Sequence, residues 1–369
     1  MTRTTLRATF VALTASALAV GTVSSIPASA APAGAVEEKR AVQWLTGELG
    51  PDGLMVNEEF AFTDVGLSID AGLALLGAGR KGAVARDIAT AAAGEVESYT
   101  QGGEFDPGAV YAGATAKLAA YTVLTGGDPT DVGGTDLVAQ LEGVTADEGP
   151  SAGRIADQSD FGDFANTIGQ AFAATALSRA GSPEAGAAVD FLLAQQCADG
   201  YFRLPFTADA AAEDQSCDAD GGQPSVDTTA LVLTQLLEVR GVGSEASLAI
   251  SRAAGWLESV QAENGSFPTG VEGEASNSNS TGLAGWALAE VGSCGKARKA
   301  ARWVKKLQVA PKHSETQLDG EIGAIAFDRA AFRAGKDDGI TTGSRDQWRR
   351  ATAQATAVLE NLSKATCRR

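Results

Sequence analysis

The chain has 369 residues, with 46 acidic side chains against 29 basic ones, one histidine, four cysteines and a formal charge of -17. A surface this acidic repels nucleic acid and anionic membrane, so neither is expected as a partner. With His313 as the single histidine and no Gly-x-Ser-x-Gly stretch, a serine-hydrolase triad is not expected, and the cysteine spacings do not suit a zinc site.

The chain opens with Arg3 and Arg7, an apolar run from Ala8 to Val23, and Ala28-Ser29-Ala30. A basic start, a hydrophobic core and a small-residue cleavage site predict a secretory signal peptide over 1–30. The run is shorter than the roughly 20 apolar residues that a span needs, so no membrane span is expected after cleavage. Losing Arg3 and Arg7 takes the formal charge from -17 to -19. Residues 31–40 read as a short lead-in, and 41–369 as a single domain.

From Ala41 the chain alternates two kinds of helix. AVQWLTGELGPDGLM is amphipathic, with Val42, Leu45 and Leu49 on one face and a turn at Pro51-Asp52-Gly53. TDVGLSIDAGLALLGAG follows, apolar nearly all round, with Thr63 or Asp64 as N-cap and Gly77 or Gly79 as stop. The second hairpin pairs a helix around 87–99 with one starting at Asp106-Pro107, an N-cap followed by a proline in the first helical position. The third pairs 136–141 with FANTIGQAFAATALSRAG. The fourth pairs GAAVDFLLAQQCADGYF with SVDTTALVLTQLLEVRG, and the fifth pairs AAGWLESVQAENGSF with STGLAGWALAEVG. The sixth is read as AARWVKKLQ with LDGEIGAIAFDRAAFRAG, and a closing helix as 344–363.

Trp256 and Trp303 are 47 residues apart, and Trp44 and Phe191 are 147 apart, or three steps of 49. A period in this range predicts stacked helical pairs, each unable to bury its apolar face alone. Six pairs predict an all-α fold, an α/α toroid of six helical hairpins (an α6/α6 barrel) with inner helices lining the barrel and amphipathic ones facing water. An even cysteine count in an exported chain predicts disulfides. Of three possible pairings, Cys197–Cys217, which brackets one excursion, and Cys294–Cys367 are preferred. The acidic run around Asp209–Asp214 and Asp218–Asp220 lacks a full calcium-loop pattern and reads as a solvated loop.

The turns Gln196-Cys197-Ala198-Asp199-Gly200-Tyr201-Phe202 and Gln261-Ala262-Glu263-Asn264-Gly265-Ser266-Phe267 resemble the repeats of the terpenoid cyclase and protein prenyltransferase superfamily. Ser225-Val226-Asp227-Thr228-Thr229-Ala230 is similar to the Asp-x-Asp-Asp-Thr-Ala stretch of squalene–hopene-type cyclases, whose middle acid protonates the substrate. The resemblance puts Asp227 in that place, as the candidate catalytic residue. Ser225 and Thr228 stand where the supporting acids would be, and the chain is only 6% aromatic, against the aromatic cavity that carbocations need. The secreted vitamin B12 carriers are similar as exported, disulfide-bonded barrels, but no strand-rich tail like their C-terminal β domain is expected from this sequence.

Polar residues near the starts of the inner helices predict a ligand-facing ring at one end: Asp70, Asp106, Asn166, Gln170, Asp227, Asn279, Gln317 and Asp319. Asp70 and Asp227 also read as first-turn acids that stabilise their own helices. The sequence therefore predicts a secreted, monomeric, non-catalytic module binding a small molecule at the barrel mouth, with no cofactor or metal. The alternatives are a cyclase-like enzyme using Asp227 and a structural cell-surface protein.

Overall fold

A computed structural model describes residues 33–362, apart from 80, 81, 220, 271 and 272. The leader over 1–30 and Cys367 lie outside the described residues. The elements are α1 (Ala33–Gly47), β1 (Met55–Asn57), β2 (Phe62–Asp64), α2 (Val65–Gly77), α3 (Gly82–Gly94), α4 (Val96–Thr100), α5 (Ala112–Leu124), α6 (Leu137–Gly143), α7 (Thr167–Ala180), α8 (Ala185–Ala194), α9 (Val226–Leu236), α10 (Ser244–Val260), α11 (Ser278–Glu290), α12 (Cys294–Val304), α13 (Arg329–Asp338) and α14 (Thr342–Thr356). A 3-10 segment, Ala357–Leu362, continues α14. The two strands form one antiparallel hairpin, with Val56 opposite Thr63.

Helices α2, α5, α7, α9, α11 and α14 each pack on the next, and α14 packs back on α2. That closed sequence of contacts is the inner ring of an α/α toroid. Its helices are buried nearly all round: α9 buries Val226, Thr228, Thr229, Ala230 and every residue from Val232 to Leu236. The outer helices bury one stripe. In α8 it is Ala188, Phe191 and Leu192, the i, i+3, i+4 spacing of an amphipathic helix. Side chains start the inner helices: Asp64 accepts from Leu67 N at 2.8 Å, Asn166 from Ile168 N at 3.0 Å, and Asn277 from Ser280 N at 2.9 Å.

The repeat has a physical cause. Gln196 Nε2 donates to the Gly200 carbonyl at 2.9 Å and to the Ala249 carbonyl of the next outer helix at 2.9 Å. Gln261 does the same with Gly265 at 3.1 Å and Lys296 at 3.0 Å. A Cβ on Gly200 would sit 2.7 Å from the Arg252 carbonyl, so that glycine lets the outer ring close up. Gln308 repeats the device with Gly323 at 3.3 Å and, at 2.9 Å, with the Glu37 carbonyl in α1, joining the last turn to the first helix. Inside the ring, Phe202 N donates to Thr229 Oγ1, Phe267 N to Thr281 Oγ1, and Ile325 N to Thr352 Oγ1 at 2.8–2.9 Å.

That last bond settles the sixth hairpin. Thr352 belongs to α14, so α14 is the sixth inner helix and closes the ring, whereas the stretch 318–335 expected in that place forms turns up to Asp328. α13 follows as a largely exposed helix whose buried residue is Gly335. The second inner helix also starts later than expected. Asp106-Pro107 forms a turn, Val110 pairs with Gln158 across it, and α5 begins at Ala112. Cys197 and Cys217 form the expected disulfide. Cys294 opens α12, and its expected partner, Cys367, lies outside the described residues.

Candidate functional site

The inner ring encloses a cavity of about 350 Å³ that receives side chains from all six inner helices. Leu73, Phe172, Leu231, Leu283 and Trp286 supply its apolar wall, and Asp70, Tyr99, Lys117, Asn166, Gln235 and Gln354 its polar groups. Below it, toward the C-terminal ends of the same helices, lies a second cavity of about 230 Å³. Leu73, Gln235 and Trp286 line both and form the waist between them. An ion pair of Arg179 with Glu238 stands at the lower end.

On one side of the lumen, Lys117 Nζ lies 2.7 Å from Asp70 Oδ1 and donates to the Gly66 carbonyl at 2.9 Å. Burial alone would pull the Lys117 ammonium down, but the Asp70 carboxylate and the Tyr99 phenol outweigh it and hold it above its usual value. Burial pushes the Tyr99 phenol up, with Lys117 working against the rise. On the α9 and α14 side, the lumen-lining Gln235 and Gln354 have buried side-chain oxygens with no hydrogen-bond partner, as do Asp227 Oδ1 on α9 and Asn279 Oδ1 on α11 outside the lining. Asp227 and Asn279 stand one turn before the lumen-lining Leu231 and Leu283. Burial raises the Asp227 carboxyl above the usual range. A hydrogen bond with Ser280 lowers it, and the nearby Glu274 adds to the rise.

The predicted ring is thus brought together in part. Asp70 and Asn166 line the lumen, whereas Asp227 and Asn279 lie one turn before the lumen-lining Leu231 and Leu283 and do not themselves line it. Asp106 and Gln170 are buried but turned into the protein. Asp106 accepts from Ser159 Oγ at 2.6 Å and Asp160 N at 3.2 Å. Gln170 bonds Ile155 N, the Gly153 carbonyl and the Ala188 carbonyl. Gln317 and Asp319 are exposed turn residues, because the segment that holds them is not an inner helix. The sequence reading missed Lys117, Tyr99, Gln235, Trp286 and Gln354. Lys117 had a signal, being the one charge in an otherwise uncharged inner helix. The amides had none, since nothing local distinguishes a lumen-facing glutamine from one turned outward.

No protein-family model matches the chain, and no curated protein is significantly similar to it. Solved structures are similar in fold. A protein from Actinoplanes is 18% identical with a TM-score of 0.57, over 89% of this chain and 99% of that one. The type II terpene cyclase MstE from Scytonema, in a variant complexed with its substrate geranylgeranyl dihydroxybenzoate, is 14% identical with a TM-score of 0.57, over 89% and 97%. The unsaturated glucuronyl hydrolase of Bacillus sp. GL1 is 12% identical with a TM-score of 0.58, over 90% and 97%. Among the described residues, no helix is long and apolar enough to cross a membrane. The chain has the α/α toroid fold that type II terpene cyclases and unsaturated glucuronyl hydrolase share.

Proposed function

We propose that this chain is an exported binding protein that holds a small molecule in the toroid lumen without transforming it. The observation that carries this reading is a walled cavity of about 350 Å³ in which the Gln235 and Gln354 side-chain oxygens are buried without partners. A buried acceptor without a donor costs roughly 1–3 kcal/mol, which a bound ligand bearing hydroxyl or N–H groups would recover. Leu73, Phe172, Leu231, Leu283 and Trp286 suit an apolar body between those polar groups. The volume stands at the small end of ligand pockets, which favours a single ring system or a short chain over a macrocycle such as a corrinoid. Export is supported by the Cys197–Cys217 disulfide, a bond that persists in oxidising compartments. A non-catalytic role fits the thinning of the acids that the resembling cyclases use together. The fold by itself assigns no ligand.

One observation favours a second reading. Asp227 is half-buried, burial shifts its carboxyl upward from the ordinary value, and its Oδ1 is buried with no partner. A group in that state can act as a general acid. MstE acts on an isoprenoid-bearing substrate. In this chain Asp227 would protonate a double bond of an isoprenoid chain lying against Leu231 and Trp286.

Thermal-shift measurements with isoprenoid alcohols, hopanoid-like lipids and oligosaccharides test both, because a ligand that binds only the folded state raises Tm. A ligand recovered unchanged, whose shift is lost in Gln235→Leu and Trp286→Ala, supports binding. Conversion that Asp227→Asn abolishes supports catalysis. A hit that survives both lumen substitutions would remove the lumen as the site.

A further inference from the structure

Five of the chain's 13 phenylalanines are exposed on segments that lead into the N-termini of inner helices. Phe60, Phe62, Phe105, Phe161 and Phe164 are between 47% and 92% exposed. They come from three loops, 55–64, 101–111 and 156–166, which lead into the N-termini of α2, α5 and α7. These helices are consecutive in the inner ring, so the phenylalanines share one arc of the rim above the lumen. Exposed aromatics grouped in this way mark an interaction surface more often than chance surface composition.

The backbone holds them out. Phe60 N donates to Asn57 Oδ1 at 3.0 Å, Phe161 N to Ser159 Oγ at 3.1 Å, and Phe164 N to Asp157 Oδ2 at 3.0 Å. Phe105 N donates to the Gly102 carbonyl at 3.1 Å. Asp106 joins two of the loops by accepting from Ser159 and Asp160. Between Phe60 and Phe62, Ala61 has φ 54°, a left-handed conformation that a residue with a Cβ adopts at a cost. Backbone strain of this kind persists where the surroundings impose it, and such places are often binding clamps. These bonds tie each loop's backbone to its own side chains and turns, and a loop set in advance loses less entropy on binding.

Charge selects among occupants. The exposed acids Glu58, Glu59, Glu104 and Asp160 flank the phenylalanines, and the three loops contain no lysine or arginine. The arginines that reach them are paired, Arg154 with Asp163, Arg350 with Asp64, and Arg349 with Glu48 and the Val56 carbonyl. A second copy would set acid against acid. A membrane with anionic lipid would be repelled. A basic peptide segment with apolar side chains matches both features. Each buried phenylalanine contributes about 150–250 Å², so five approach the roughly 800 Å² that one partner gives to a stable interface.

We infer that this arc of the rim is a docking surface for a basic, apolar-anchored peptide segment of a partner protein. The inference does not depend on the lumen holding a ligand. The probe is a short labelled peptide alternating lysine with leucine, measured by fluorescence anisotropy against the full chain. Two control peptides replace its lysines by glutamate or its leucines by serine. The first variant combines Phe105→Ser, Phe161→Ser and Phe164→Ser, with the single change Phe105→Ser as a milder second. A third carries Glu58→Lys, Glu59→Lys and Glu104→Lys. The lysine–leucine peptide should bind the wild type, and the affinity should fall as salt rises. Both multiple variants should weaken it at least about tenfold, or ~1.4 kcal/mol, and the single variant less, with unchanged melting curves. Equal binding of either control peptide, or binding unchanged in the variants, would overturn the inference, since the remaining acids of the chain are untouched. So would no binding by the wild type, co-sedimentation with phosphatidylcholine vesicles that the triple serine variant loses, or a dimer in sedimentation velocity that this variant dissociates.

Discussion

Lys117 Nζ lies 2.7 Å from the Asp70 carboxylate across the gap between α5 and α2, and both side chains face the lumen. The pair is partly shielded from water, with side chains 18% and 26% exposed. Removing one partner leaves the other charge poorly compensated. Asp70→Asn is expected to cost about 2–3 kcal/mol, below the range for a fully buried pair. Asp70→Leu with Lys117→Met should recover most of it, as chemical denaturation of the three proteins can measure. The folded-state value of Lys117 is raised. Its contribution is therefore complete below the unfolded value, about 10.4, and is lost as pH climbs through the higher folded value. In Lys117→Met that alkaline loss of stability should be absent.

Asp227 gives the opposite kind of signal. Its folded value is raised by burial, so its preference for folding is greatest when it is protonated. Below the unfolded value, about 3.9, wild type and Asp227→Asn should be similarly stable. As pH rises through the higher folded value, the wild type must either ionise a buried group or retain its proton at a cost. Asp227→Asn should then be the more stable, with a higher Tm at neutral pH. A pH series of melting curves checks this, and equal Tm values at every pH would show that the carboxyl is solvated.

The Cys197–Cys217 bond closes a loop with a sequence separation of 20. Cross-linking a loop of that size stabilises by roughly 3 kcal/mol through the unfolded chain. Inside it, buried Arg203 bonds Gln195 Oε1 at 2.8 Å, Thr207 Oγ1 at 2.9 Å and the Gln215 carbonyl at 2.9 Å. Replacing both cysteines by serine should lower stability by about that amount. Amide exchange should speed up over 198–216 more than elsewhere in the toroid. Uniform loosening of the whole chain would count against this local reading.

Two glycines should respond in opposite directions to the same change. A Cβ on Gly282 would meet the Gln354 carbonyl and would stand 2.5 Å from Ala355 Cα, so α11 and α14 would have to part. Gly282→Ala should cost about 1–3 kcal/mol. Gly255, in outer helix α10, has open space at that position. Gly255→Ala should stabilise by roughly 0.5–1 kcal/mol through helix propensity. Denaturation midpoints of the two variants decide the matter.

The sequence by itself determined the repeat, because amphipathic spacing, helix stops and turn glutamines are local patterns that each hairpin carries within about 50 residues. It also pointed to the toroid, and the Cys197–Cys217 pairing it preferred among three is the one that forms. Only the tertiary structure decided which helix completes the ring. The stretch 318–335 and α14 both carry helix-like patterns, and the choice rests on long-range bonds: Thr352 under Ile325, and Gln308 to the first helix. The lumen and the rim are decided in the same way. Asp106 and Gln170 have the same local chemistry as the residues that face inward, yet their loops turn them toward Ser159 and Ile155. Lys117 meets Asp70 from 47 residues away. Periodicity shows which residues share a helix face. Which face looks into the lumen depends on how six hairpins close against one another, a condition that no single stretch of sequence carries.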